Sequence, residues 1–350
     1  AVSSGELPLS LEISPVKLAQ FLKDAKVTES LEQKAEDVRI FKNAEDKIEI
    51  HGRGYSGHAI ALDALVNRVN NALNRAKDTV EIPLIEVPYS LDIAPDLQEM
   101  GVKELIATGH TRFAGSPANR KHNIGVGVSK YNGVLIAPGE TFSFNKNLGM
   151  VDGTTGYKKE LVIKPEGTIP EYGGGLCQVS TTLYRAALYA GLPIKERAPH
   201  SYAVTYYSQV GGHGIDATIY PPSRDLKFTN DTSSPLLINS FVDGDNAYFK
   251  FYGTKDSRTV TLEGPYISNK RSALVDALLV YDQNLKPGEK KQVEKAHGGF
   301  DALWYRYITR GGETKKEEIV SKYRATQNKF LTGDKPKEES AQAAEVNPFE

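Results

Sequence analysis

Among its 350 residues the chain has one cysteine, one tryptophan and two methionines. The single thiol, Cys177, excludes an intrachain disulfide framework and any zinc module built from several cysteines. Charge of one sign is also lacking: Lys and Arg total 43 against 44 Asp and Glu, for a formal net charge of -1. No global positive field gathers polyanions, so nucleic acid is not an expected partner. No run reaches the roughly 18 consecutive apolar residues of a membrane helix, and Ala1 to Glu6 carry neither the basic segment nor the apolar core of an export signal. A chain that starts at Ala1 is read as processed or trimmed, so location has to be inferred from elsewhere in the sequence.

The rest is ordinary for a soluble protein, with 39% apolar and 25% charged residues. At roughly 100–200 residues per domain the length predicts two or three domains. The expected fold class is α+β and multidomain. Ser14 before Pro15, with Val16, Leu18, Phe21 and Leu22 behind, predicts an N-capped helix ending near Lys26. Lys47 to His51 and Val80 to Val87 read as strands around a helix carrying Ile60, Leu62, Leu65, Val66, Val69 and Leu73 at helical spacing. These elements form a first α+β domain over residues 1–88, followed by a connector over 89–111 with a short helix around Leu97 to Ile106.

Residues 112–255 change texture to short β-type runs between Gly, Pro and Asn turns, giving a central mixed β domain. Leu236 to Val242 and Ala247 to Tyr252 flank Asp243-Gly244-Asp245-Asn246 as a hairpin. One helix interrupts the pattern at Gln178 to Ala190, with Val179, Leu183, Ala186, Ala187 and Ala190 on one face and Gly191 as its stop. Strand candidates at Thr259 to Leu262, Leu278 to Tyr281 and Ala302 to Thr309 make residues 256–334 a small all-β module. The tail over 335–350 lacks large apolar residues until Phe349 and is expected to be disordered.

The cysteine sits in Gly173-Gly174-Gly175-Leu176-Cys177-Gln178, after three glycines and at a helix start. Glycines such as Gly175 allow close backbone approach, while helix-start amides and the helix dipole favour a thiolate, lowering its pKa from about 8.5. The alternative is a small hydrophobe packed under an apolar helix. A nucleophile needs a base and the base an orienting partner. His200 lies ahead of a strand candidate at Ala203 to Tyr207, and Asp216 lies in Ile215 to Tyr220, read as a strand with Asp216 on the face opposite Ile215, Ala217 and Ile219. Each could equally be a turn or edge residue satisfied locally. His213, between glycines, is the alternative base, and zinc on Cys177, His200 and His213 lacks the paired short-spacing ligands that zinc sites use. Neither metal nor cofactor is expected. Cysteine on a helix followed by histidine and aspartate is the order of transglutaminase-like and papain-like enzymes.

Several motifs now stand in order. They are Asn119-Arg120-Lys121-His122-Asn123-Ile124, Pro138-Gly139-Glu140-Thr141-Phe142-Ser143-Phe144-Asn145, Gly156-Tyr157, and Gly173 through Cys177 to Tyr184. Glu196-Arg197 with His200-Ser201, Asp216-Ala217-Thr218 and Asp225-Leu226-Lys227-Phe228 follow. Together they closely resemble the VanW family. Residues 1–88 are similar to the peptidoglycan-binding domain that commonly precedes VanW, and Leu278 to Gly333 looks like a five-glycine envelope module. The resemblance implies a bacterial, extracytoplasmic envelope protein, tethered by an N-terminal membrane segment that this chain lacks, with peptidoglycan or its peptides as partner. It marks Cys177, Gln178, His200 and Asp216; the stretch Val210 to Gly214 is longer than the family's usual glycine turn.

The function expected is cysteine-dependent acyl transfer on peptidoglycan peptides. Cys177 attacks, His200 moves the proton, Asp216 orients His200, and helix-start amides near Gln178 and Gly175 hold the oxyanion. Arg112, Arg120 and Lys121 are expected to meet substrate carboxylates. The alternatives are a non-catalytic cell-wall-binding protein and a scaffold for envelope enzymes.

Overall fold

Capping and apolar spacing set the first helix, Pro15–Asp24, whose N-cap Ser14 accepts a hydrogen bond from the Lys17 amide. The computed structural model describes residues 11–164 and 167–334, so the tail over 335–350 and the segment Ala1 to Glu6 lie outside the described residues. Two units divide the chain, Ala1–Ala94 and Pro95–Glu350. Within the first, Leu18, Leu22, Ile60 and Leu65 form a small core between Pro15–Asp24 and the helix Leu62–Leu73. Strand Val38–Lys42 pairs antiparallel with Ile48–His51 and parallel with Leu91–Ile93. The expected strand over Val80 to Val87 is confined to Leu84–Val87. Among the described residues no helix is long and apolar enough to cross a membrane.

The second unit is built on an antiparallel sheet with strand order Glu104–Arg112, Asn246–Gly253, Leu236–Asp243 and Leu135–Ile136. Its hairpin register pairs Asp243 with Asn246 across the turn. The helix Leu176–Tyr189, which carries Cys177 at its second position, lies against Glu104–Arg112. Phe142, Phe144, Phe228, Phe249, Phe251 and Tyr131 are buried with Leu183 and Val179 of that helix in one core. At about 1.5–3 kcal/mol per buried large apolar side chain, this core is what fixes the helix in place.

Several expectations need correction. Residues 104–111, assigned to the connector, belong with Arg112 to a strand of the main sheet, and the connector helix is confined to Pro95–Glu99. The inward residues of that strand, Ala107, Gly109 and Thr111, are small and give little hydrophobic signal. A Cβ on Gly109 would lie 2.2 Å from the Thr182 carbonyl oxygen and 2.5 Å from the Ala186 nitrogen, so only glycine lets helix and strand meet. Ala118–Ser129 is a second substantial helix, hidden by Gly125 and Gly127. A Cβ at Gly127 would approach Leu176 Cδ2 to 2.6 Å, so that glycine too permits a close helix contact. Finally, the segment Ala203 to Tyr207, expected as a strand, runs into a short helix, Thr205–Ser208, and Ile215 to Tyr220 is extended chain held by isolated bridges from Thr218 to Ala198 and from Tyr220 to Arg224.

Beyond Lys255 the described residues hold only strands as regular elements. The long strands Thr259–Arg271, Gly299–Arg310 and Glu313–Tyr323 form one antiparallel sheet. Leu278–Tyr281, Lys329–Thr332 and Lys290–Glu294 form another. The chain is therefore a mixed α+β protein of several sheets and few helices.

Candidate functional site

The glycine run brings the chain to Cys177 in a conformation that side chains resist. Gly173 and Gly175 have φ of 84° and 113°. The thiol, half-buried, approaches the Thr218 hydroxyl at 3.5 Å and the Ile219 carbonyl at 3.7 Å, so the extended segment carrying Asp216 runs alongside it.

His200, only 5% exposed, is clamped to Asp216 twice. Its Nδ1 lies 2.5 Å from Asp216 Oδ2, and its backbone N–H donates to the same oxygen at 2.9 Å. The other ring nitrogen, Nε2, is buried and has no close, well-aligned hydrogen-bond partner. The Tyr207 ring packs 4.7 Å from the imidazole, centroid to centroid.

Asp216, 2% exposed, is braced on its other oxygen as well. Arg197 Nη2 donates to Oδ1 at 3.3 Å, and the Tyr323 hydroxyl donates to the same atom. Arg197 also donates to the Asp216 carbonyl at 2.6 Å and to Ser321 Oγ at 2.7 Å. Tyr323 and Ser321 belong to the strand Glu313–Tyr323, so the C-terminal sheet supplies part of the cradle. Sequence reading missed both residues. A tyrosine and a serine at a strand end carry no local signal of a partner more than a hundred positions away.

These contacts set the charges. Burial alone would raise the Asp216 carboxyl, but His200, Arg197 and Tyr323 hold it well below the usual carboxylate range. Burial disfavours the His200 cation, yet Asp216 and Cys177 outweigh it and push His200 up to about 9. Burial pushes the Cys177 thiol up, and His200 more than reverses this, leaving the thiol below its ordinary value. Each of the pair thus favours the charged form of the other, the thiolate beside the imidazolium.

The other expected site residues fall in distinct places. His213 packs edge-on against Phe300 and Tyr323, and its carbonyl accepts from Trp304 Nε1 at 2.7 Å. Burial lowers its pKa. Gln178 is buried with Oε1 on Arg120 Nη2 at 3.0 Å and Nε2 on the Arg112 carbonyl at 3.3 Å. Its backbone N–H donates to the Gly175 carbonyl at 2.9 Å, so Gln178 has no amide free for an oxyanion. Arg120 is buried, Lys121 is paired with Asp245 at 2.6 Å, and Arg112 is exposed at the end of its strand. Among the described residues no three His, Cys, Asp or Glu side chains gather as metal ligands.

With this geometry in view, a family model described as VanW like protein matches residues 119–252. Residues 119–252 are thus similar to the VanW family, and the segment is called the VanW-like domain below. The chain is 35% identical over 144 residues to the uncharacterized protein YoaR of Bacillus subtilis, covering 41% of this chain and 46% of that protein. It is 31% identical over 145 residues to the vancomycin B-type resistance protein VanW of Enterococcus faecalis, covering 41% and 52%. The chain thus spans about half the length of these curated relatives. A solved chain titled crystal structure of HP0197-G5 aligns with 22% of this chain and 99% of its own length, at 15% identity and a TM-score of 0.12, a superposition too poor to inform the fold. Cys177, His200 and Asp216 all lie inside the VanW-like domain; Ser321 and Tyr323 lie outside it.

Proposed function

We propose that the protein works in the bacterial cell envelope as a cysteine-dependent acyltransferase or amide hydrolase on stem or cross-bridge peptides of peptidoglycan. The observation that carries this reading is His200: Nδ1 is fixed on Asp216, while Nε2 is buried with no close hydrogen-bond partner and the ring interacts with the Cys177 thiol. A buried ring nitrogen without a partner is unfavourable in a purely structural histidine and serves a proton carrier. Cysteine on a helix, then histidine, then aspartate is also the chain order of transglutaminase-like enzymes. The envelope setting rests on the family resemblance and on the relative whose name ties it to vancomycin resistance.

In the first step the Cys177 thiolate attacks the amide carbonyl, forming a C–S bond and a tetrahedral oxyanion. His200, as imidazolium, gives its Nε2 proton to the departing amine as the C–N bond breaks. Neutral His200 then takes a proton from water or an acceptor amine, which attacks the thioester and returns the thiolate. Water gives hydrolysis, and an amine gives transpeptidation. Asp216 keeps the proton on Nδ1 and stabilises the cation.

The test is the pH dependence of Cys177 alkylation by iodoacetamide in the folded chain. The expected outcome is a reactive thiolate well below pH 8, with the rate near pH 6.5 falling at least about tenfold in His200→Ala, one pKa unit or more of lost thiolate. Turnover of peptidoglycan fragments should decline above about pH 9 as His200 loses its proton. A thiol inert until the protein unfolds would make Cys177 a packing residue and favour a cell-wall-binding role.

A further inference from the structure

Arg120 is a buried cation whose surroundings leave it without a counter-charge. It is 9% exposed. Other buried arginines of this unit are fully employed: Arg306 pairs with Glu317, Arg197 with Asp216, and Arg185 donates to the carbonyls of Ile215, His110, Val210 and Tyr207. Arg120 uses two of its five N–H donors, Nη1 on Ser116 Oγ at 2.7 Å and Nη2 on Gln178 Oε1 at 3.0 Å. Both acceptors are neutral, and no carboxylate of the described residues is within ion-pair distance of it. A desolvated guanidinium in such a setting favours an anion brought from outside.

Its position says which anion. Gln178 follows the nucleophile directly, and Arg120 Cγ lies 3.1 Å from where a Cβ on Gly175 would stand. The guanidinium lies over the Tyr206 ring, with its central carbon 4.2 Å from the centroid. Tyr206 precedes Tyr207, whose ring faces His200. Arg120 therefore touches the residue that follows Cys177 and the residue that precedes the His200-facing Tyr207. A guanidinium with N–H donors left unused is suited to a bidentate contact with a carboxylate.

We infer that Arg120, supported by Tyr206, binds a free carboxylate of the peptide whose amide Cys177 attacks, which makes the substrate class a peptide with a carboxylate close to the reacting bond. The amide in this statement rests on the acyl-transfer reading; the carboxylate rests on Arg120 and its surroundings alone.

Cys177 of the full chain is alkylated with iodoacetate, which carries a carboxylate, and with its neutral counterpart iodoacetamide, in wild type and Arg120→Gln. The ratio of the two rates, iodoacetate over iodoacetamide, is expected to fall at least about fivefold on substitution, and to recover in part in Arg120→Lys, which keeps the charge but not the fork. A ratio unchanged by Arg120→Gln overturns the inference and leaves Arg120 a prop for Gln178. The second measurement does not need the nucleophile. Acetyl-D-alanyl-D-alanine and its C-terminal amide are titrated into Cys177→Ala, with and without Arg120→Gln, followed by NMR. Tighter binding of the free acid, lost with Arg120→Gln, supports the carboxylate site even if the thiol proves inert, in which case only the acyl-transfer reading falls. Equal binding of acid and amide overturns the carboxylate site even if Cys177 proves nucleophilic.

Discussion

Asp216 joins His200, Arg197 and Tyr323 in the candidate site, and its chemistry yields a pH-dependent expectation. One buried carboxylate meets His200 on one oxygen and Arg197 with Tyr323 on the other. Replacing it by asparagine keeps the shape but leaves Arg197 without its counter-charge, a change that typically costs about 3–5 kcal/mol. Because neighbours depress its folded-state pKa, the stabilisation is fully present above the ordinary carboxylate value and is lost as pH falls through and below it. The stability difference between wild type and Asp216→Asn should therefore be large at pH 7 and shrink below about pH 3.9, by about 1.4 kcal/mol per pH unit. Urea denaturation at pH 7, 4 and 3 measures it. A difference that stays constant across this range would show that the charge of Asp216 is not what holds the segment. The identity of Cys177, His200 and Asp216 as candidates was legible in the sequence because residue type, order and the glycine run are local signals. Tyr323 and Ser321 were not legible, and Arg197 stood only as part of a motif without a role, since these roles exist only once distant segments meet.

At the level of elements, the cysteine helix depends on how closely it can approach its strand. Gly109 faces backbone atoms of Thr182 and Ala186, which cannot rotate away as a side chain would. Gly109→Ala is expected to cost about 3 kcal/mol or somewhat more, by forcing helix and strand apart. Gly127→Ala meets the flexible end of Leu176 and should cost less, about 1–2 kcal/mol. Thermal melts of the two variants, with iodoacetamide reactivity of Cys177 measured alongside, test whether the Gly109 substitution also displaces the thiol. Equal small losses would mean that the contact yields more easily than its distances imply. The same feature explains what the sequence concealed. The helix Leu176–Tyr189 and the hairpin Leu236–Asp243 with Asn246–Gly253 advertise themselves through apolar periodicity and turn chemistry. The strand Glu104–Arg112 and the helix Ala118–Ser129 use small residues and glycines at their tightest contacts, so pattern and propensity both understate them. The extended segment with Asp216 is buried at Ile215, Asp216 and Ala217 in succession, which defeats an alternating reading.

Across the second unit, the C-terminal sheet and the VanW-like domain share one buried polar network. Trp304 donates to the His213 carbonyl, the Gly214 amide donates to the Tyr323 hydroxyl at 3.0 Å, and that hydroxyl donates to Asp216. The Arg324 amide donates to the Ser201 carbonyl at 2.7 Å, next to His200. Both segments that carry the base and its partner are thus held by residues outside 119–252. If the sheet merely packs there, Tyr323→Phe loses one hydroxyl and about 1–2 kcal/mol, with no consequence for the thiol. If it orients Asp216, the same substitution loosens the carboxylate, weakens the His200 cation and moves the acid limb of Cys177 alkylation to higher pH. We expect the second result. A double-mutant cycle between Tyr323→Phe and Asp216→Asn should also give a coupling of about 0.5–3 kcal/mol, since each removes half of the same contact. Additive losses with an unmoved alkylation profile would assign the C-terminal sheet to stability alone. A shifted profile with strong coupling would make it a working part of the site.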